Sequence, residues 1–165
     1  MPNHYYFMEL ALTEAKKARS SFEVPIGAVL VGPHGEVLGR AHNAPISLND
    51  PTAHAEVLAL RQGCRALGNY RLPNTILYVT LEPCVMCLGA MLQARIRMLV
   101  FGAPDPKSGA AGSVVDLTKV PGFNHYIEVV GGIRPDESAE LLKRFFQELR
   151  QNVRQDDSGE VPKWS

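Results

Sequence analysis

His54 and Glu56 stand two residues apart in PTAHAEVLAL, at the mouth of an apolar helical run. Cys84 and Cys87 open a second such run in EPCVMCL. Side chains two apart on a helix point to different sides, so the first pair does not belong to a helix flank. Both residues make sense if they address something lying off the helix's N-terminal end. Two thiols at i and i+3 share one face, and the positive potential of a helix start favours the thiolate, the form that binds metal. One cation between the two helix openings would take His54, Cys84 and Cys87, ligand types that zinc favours.

Three protein ligands leave a fourth position for water, which distinguishes a catalytic zinc from a structural one. Zinc lowers the pKa of such a water from near 16 to about 7. Glu56, bending back past His54, is placed to take that proton and hand it to a leaving group. The separate pieces say less. C-x-x-C alone also fits a redox pair or half of a zinc ribbon, and H-x-E alone fits an ordinary polar helix start. Cys64 would close a Cys₃His cage only from several turns down the same helix, and such a cage leaves Glu56 without a role. Together, H-x-E and P-C-x-x-C point to zinc-dependent hydrolysis.

The elements that must carry these residues follow from periodicity. Residues 5–19 repeat apolar positions at helical spacing, with Lys16, Lys17 and Arg19 at the end where the helix dipole favours cations. IGAVLVG reads as a buried strand, GPHG as a turn and EVLGRA as a second strand. NAPISLNDPT (43–52) reads as a loop, followed by a helix over 53–67. TILYVTL, RMLVFGA and YIEVVGG are further strands, with the CVMCLGAMLQ helix between the first two. That helix is apolar nearly all round, which requires burial on every side and suits an interior or subunit-interface helix. A long helix starts at Pro135 with Asp136 and Glu137 in its first turn and runs to about residue 155. In it, one of the adjacent Phe145 and Phe146 is expected in the core. The order α-β-β-α-β-α-β-β-α predicts a three-layer α/β/α sandwich over a mixed five-stranded sheet.

The 165 residues suit a single domain over 1–155, with DDSGEVPKWS (156–165) as a flexible tail. Lys plus Arg and Asp plus Glu number 17 each, so a nucleic-acid partner requires a local basic patch. Three cysteines, with no basic-then-apolar leader at MPNHYYFMEL, argue for a reducing cytoplasm. No apolar run reaches the length that spans a bilayer.

H-A-E with P-C-V-M-C resembles the zinc nucleobase deaminases, which act on a base taken out of the stack. The likeness extends over nearly the whole chain. EVPIGAVLV, LYVTLEPCVMC, VFGAPDPKSGAAGS and GFNHYIEVVGGI are similar to the bacterial tRNA-specific adenosine deaminases. The KSGAAGS loop separates these from cytidine and deoxycytidylate deaminases, which do not usually carry it. The resemblance implies a cytidine deaminase-like fold, a homodimer, one zinc per subunit and hydrolysis of the wobble adenosine of a tRNA anticodon to inosine. It implies zinc on His54, Cys84 and Cys87, and proton transfer by Glu56 to the purine ring and then to ammonia. It also implies base contacts from Asn43 and the Ala55 N–H, and contacts to the flipped nucleotide and its neighbours from Asp105, Lys107 and Ser108. Pro104 and Pro106 bracket Asp105 and stiffen that loop. The cations Lys16, Lys17, Arg19, Lys143, Arg144, Arg150 and Arg154 are candidates to line an anticodon stem. Two rivals stand beside this reading: a deaminase of free cytosine, guanine or deoxycytidylate, and a non-catalytic zinc-stabilised RNA-binding module.

Overall fold

The computed structural model describes residues 2–155, so the tail expected over 156–165 falls outside it, as does the side chain of Arg154. Helix α1 (His4–Ser20) leads into strands β1 (Gly27–Val31) and β2 (Val37–His42). A one-turn helix, α2 (Pro45–Leu48), precedes α3 (Ala55–Leu67), β3 (Ile76–Leu81), α4 (Val85–Ala94) and β4 (Met98–Ala103). A 3₁₀ turn at Leu117–Lys119, the short strand β5 (Glu128–Val130) and α5 (Pro135–Gln155) complete the order. The sheet runs β2-β1-β3-β4-β5. Strand β1 pairs antiparallel with β2 and β3, while β3 with β4 and β4 with β5 are parallel, which gives the expected mixed sheet.

The inner strands β1, β3 and β4 read as largely apolar runs because both faces of the sheet are covered there. Ala28, Leu30, Leu77, Val79, Leu99 and Phe101 belong to the core beneath α3 and α4. Their neighbours Val29, Val31, Ile76, Tyr78 and Val100 belong to the core on the other side, with Phe7, Met8, Ala11 and Leu12 of α1. Leu141 of α5 packs against that second core. The period-2 alternation thus divides one sheet between two helical layers.

Two departures from the expected elements have local causes. The segment 43–52 contains α2 because Glu23, 1% exposed, reaches across to accept hydrogen bonds from the N–H groups of Ile46 (2.8 Å) and Ser47 (3.0 Å). The last strand shrinks to its pairing with Met98, Leu99 and Val100, after which Gly132 (φ 78°) turns the chain toward α5. Phe145 is 5% exposed and Phe146 40%, so the aromatic pair divides between core and surface. Among the described residues no helix is long and apolar enough to cross a membrane.

Candidate active site

Strands β2 and β3 both run antiparallel to β1, so they leave the sheet at the same end. Each leads, directly or through a loop, to a helix that starts there. His54 and Cys84 occupy equivalent places. Each is the extended N-cap of its helix, with ψ of 150° and 175°, and neither uses its side chain to cap. A serine or aspartate there would fold back on the first-turn amides. The imidazole and thiol turn instead toward each other, and Cys87 joins them from the first turn of α4.

The three ligand atoms form a compact triangle. His54 Nδ1 lies 3.4 Å from Cys87 Sγ and 3.7 Å from Cys84 Sγ, and the two sulfurs are 3.7 Å apart. Tetrahedral zinc with bonds near 2.3 Å to sulfur and 2.0–2.1 Å to nitrogen would hold its ligands about 3.5–3.8 Å apart. The triangle therefore fits one zinc ion without rearrangement. Glu56 lies beside it, 4% exposed, and its Oε2 is buried with no hydrogen-bond partner in the protein. A buried carboxylate oxygen left unpaired is costly unless something else engages it. A group held at an open position of a zinc ion in the triangle would supply that partner.

Burial pushes the Glu56 carboxyl up to about 7, with His54 acting in the opposite direction. The Cys84 thiol is drawn down to about 4, first by the hydrogen bond from Cys87 and then, against burial, by His54. Cys87 moves upward because it donates to Cys84 and is buried. His54 is raised by its contact with Cys84.

Asn43 follows β2 and is 6% exposed. Its Oδ1 accepts the Ala55 N–H at 2.9 Å. The Ala55 hydrogen expected to face a base is therefore directed to Asn43. The bond fixes the carboxamide and leaves its NH₂ as the donor group.

Loop 105–113 is tethered in a way the sequence did not announce. Glu82, 2% exposed, ends the LEPC approach to the cysteines. Its Oε2 accepts from Asp105 N (2.9 Å), and its Oε1 from Ser113 N (3.0 Å) and Ala111 N (3.2 Å). A Cβ on Gly109 would overlap the Glu82 carboxylate, so only glycine lets the loop close on it. Asp105 is itself occupied, with Oδ1 accepting from Lys107 N (3.0 Å) and Ser108 N (3.3 Å). Its carboxylate shapes the turn, while the Lys107 and Ser108 side chains stand exposed at the tip. The available signal for Glu82 was a carboxylate wedged between a fully apolar strand and a proline.

Three of the cations expected to line a stem on α1 and α5 are held by acids of the same two helices, while Lys16, Lys143 and Arg150 make no ion pair among the described residues. Lys17 pairs with Glu14 at 2.8 Å, Arg144 with Glu140 at 2.9 Å, and Arg19 with Glu148 across the two helices. The outer side of α4 is open within one chain, where Val85 is 56% exposed.

Residues 1–103 match the cytidine and deoxycytidylate deaminase zinc-binding region. The tRNA-specific adenosine deaminase of Agrobacterium fabrum is 51% identical over 91% of this chain and 98% of its own length. This chain belongs to the tRNA-specific adenosine deaminases. That of Bacillus subtilis is 49% identical over 87% of this chain and 89% of its own. A solved structure from work on A-to-I editing by tRNA:A34 deaminases superposes with a TM-score of 0.80 at 52% identity, covering 83% of this chain and 99% of that one. This deaminase is therefore a zinc enzyme of the superfamily, and the ligand triangle beside Glu56 is where its sequence and fold converge.

Proposed function

We propose that this deaminase hydrolyses the wobble adenosine of a tRNA anticodon to inosine, with release of ammonia. The observation that carries the reading is the partnerless oxygen of Glu56 facing a triangle of zinc ligands, in a chain of the tRNA-specific adenosine deaminase family. His54, Cys84 and Cys87 hold the zinc. Bound there, zinc supplies a Lewis acid that makes water acidic near neutral pH.

The remaining work falls to the protein. Glu56 moves two protons in turn, one from the water to the purine ring nitrogen and one from the hydroxyl added at C6 to the departing amine. The oxygen added at C6 comes from water, and the C6–N bond breaks. Asn43, braced by Ala55, offers its amide hydrogens to the purine edge. The starts of α3 and α4 direct positive potential at the negative charge that builds during attack. Lys107 and Ser108 engage the flipped nucleotide and its neighbours from the tip of the loop that Asp105 shapes.

The enzyme acts in the cytoplasm as a homodimer. The support for the dimer is an open apolar groove of about 510 Å³ between α3 and α4, lined by Val57, Leu60, Ala90 and Ala94, with Tyr70 71% exposed at its side. The deciding experiment incubates the purified protein with total tRNA and with free nucleosides and bases. Inosine at the anticodon wobble position is expected. Ammonia released only from free nucleosides or bases would replace the tRNA substrate with a small one, and no turnover on either would leave a binding module.

A further inference from the structure

An enzyme of zero net charge that grips a polyanion must concentrate its cations somewhere. On α1 and α5, Lys17, Arg19 and Arg144 are held by their own acids. A different group gathers at the other end of the molecule. Arg71 precedes β3, while Arg95 and Arg97 precede β4, and the three share the lining of one cleft of about 580 Å³ with His125, Tyr126 and Glu128. Among the described residues none of the three arginines makes an ion pair, and Glu128 is the one acid in the lining.

The cleft is distinct from the metal triangle. It lies where β3 and β4 enter the sheet, whereas Cys84 follows the exit of β3. Six residues of strand separate the two ends, which is about 20 Å. It is also built at some cost. Asn74 and Arg95 line it with φ of 61° each, a left-handed backbone that costs a non-glycine residue about 1 kcal/mol. At Arg95 this is a helix C-cap, where glycine is the usual solution. Arg95 then donates to the Asn124 carbonyl at 3.0 Å, which ties the segment bearing His125 and Tyr126, just before β5, to the cleft. Tyr126 stands 70% exposed at the rim, an aromatic face beside guanidinium groups. Planar five-donor forks that make no ion pair suit phosphate oxygens.

We propose that this arginine cleft binds phosphate groups, from a polynucleotide backbone or from a free polyphosphate. That the polynucleotide is the tRNA substrate rests on the function proposed above; the binding of phosphate does not.

The test compares the wild-type holoenzyme with R71Q/R97Q, whose altered side chains are both exposed and leave the Arg95 cap intact. Zinc content and a cooperative melt confirm the fold. Binding of unmodified tRNA is measured by anisotropy across a salt series, and binding of inorganic triphosphate by calorimetry. If the backbone is the source, tRNA affinity falls on the order of tenfold and the log–log salt slope flattens by about 1.4–1.8, two contacts' worth. R71K/R97K, which keeps the charge, should restore most of the slope. Loss of triphosphate binding with an unchanged tRNA slope identifies a free polyphosphate as the ligand. Unchanged binding of both overturns the cleft. Because these readouts use no turnover, they stand apart from the inosine assay, whose failure would overturn the tRNA deaminase reading alone.

Discussion

Asn43 and Ala55, twelve positions apart, are joined by a 2.9 Å hydrogen bond that ties the exit of β2 to the first residue of α3. His54 does not cap its helix, so Asn43 does the capping from a distance. Asn43→Ala should lose both functions: about 0.5–2 kcal/mol of stability, as for a lost cap, and about tenfold or more in kcat/KM. Asn43→Asp separates them. It keeps the acceptor and hence the melting temperature, but it removes the amide hydrogens and should still impair deamination. Full activity in the aspartate variant would remove the base contact from the mechanism.

Glu56 is buried beside the metal triangle, and its Oε2 has no hydrogen-bond partner in the protein. Glu56→Gln preserves shape while abolishing proton transfer. Zinc content should stay at one per chain while turnover drops by at least 10²–10⁴. Metal analysis beside a single-turnover inosine assay checks this. Substantial residual turnover would assign the proton to another group.

The ligands come from two helix openings on separate strands, so metal holds together parts of the chain that otherwise meet only through packing. Cys87 is fully buried, and Cys87→Ser should release the zinc and lower the melting temperature. For the native chain, the melting temperature should fall with a strong chelator and rise with free zinc. A melting curve indifferent to both would place the metal outside the fold's stability.

Glu82 gives a pH dependence with a definite sign. Burial raises its carboxyl, but hydrogen bonds from Ser113, Asp105 and Ala111 outweigh that and hold it below the ordinary 4.5. A lowered folded-state pKa means the ionised form favours the fold. Its contribution is complete above about pH 4.5 and is lost as the pH falls through the folded value. Glu82→Gln should cost about 1.5–3 kcal/mol at neutral pH and flatten the acid limb of the stability profile. It should also raise KM for tRNA more than it lowers kcat, because the loop tip loses its position while the metal site remains. Equal effects on both constants would make Glu82 a general structural residue.

The apolar groove between α3 and α4 predicts self-association. Ala90→Glu places a charge in that groove and should shift sedimentation from dimer to monomer. A wild-type monomer at micromolar concentration would end the dimer proposal.

The metal triangle was legible in the sequence because its pieces are short-range: H-x-E and C-x-x-C each lie within one helical turn, and helix-start chemistry orients them. The sheet was legible because strands covered on both faces form apolar runs that turn residues interrupt. What escaped depends on distant partners. The one-turn helix at 45–48 is made by Glu23, and loop 105–113 is tied down by Glu82, each more than twenty positions away. The cations of α1 seemed free until Arg19 met Glu148, a residue 129 positions on. Arg71, Arg95 and Arg97 form no run in the sequence and come together only when two parallel strands place their entry points side by side.

Glu82 sits directly before Pro83 and Cys84, and the same carboxylate clamps the loop that carries Lys107 and Ser108. Anyone redesigning this enzyme for a new nucleic acid inherits that linkage. Changes at the root of the loop, at Gly109 or Glu82, would loosen that clamp. The exposed tip at 107 and 108 can be rewritten without disturbing it, and directed evolution of substrate scope would do well to begin there.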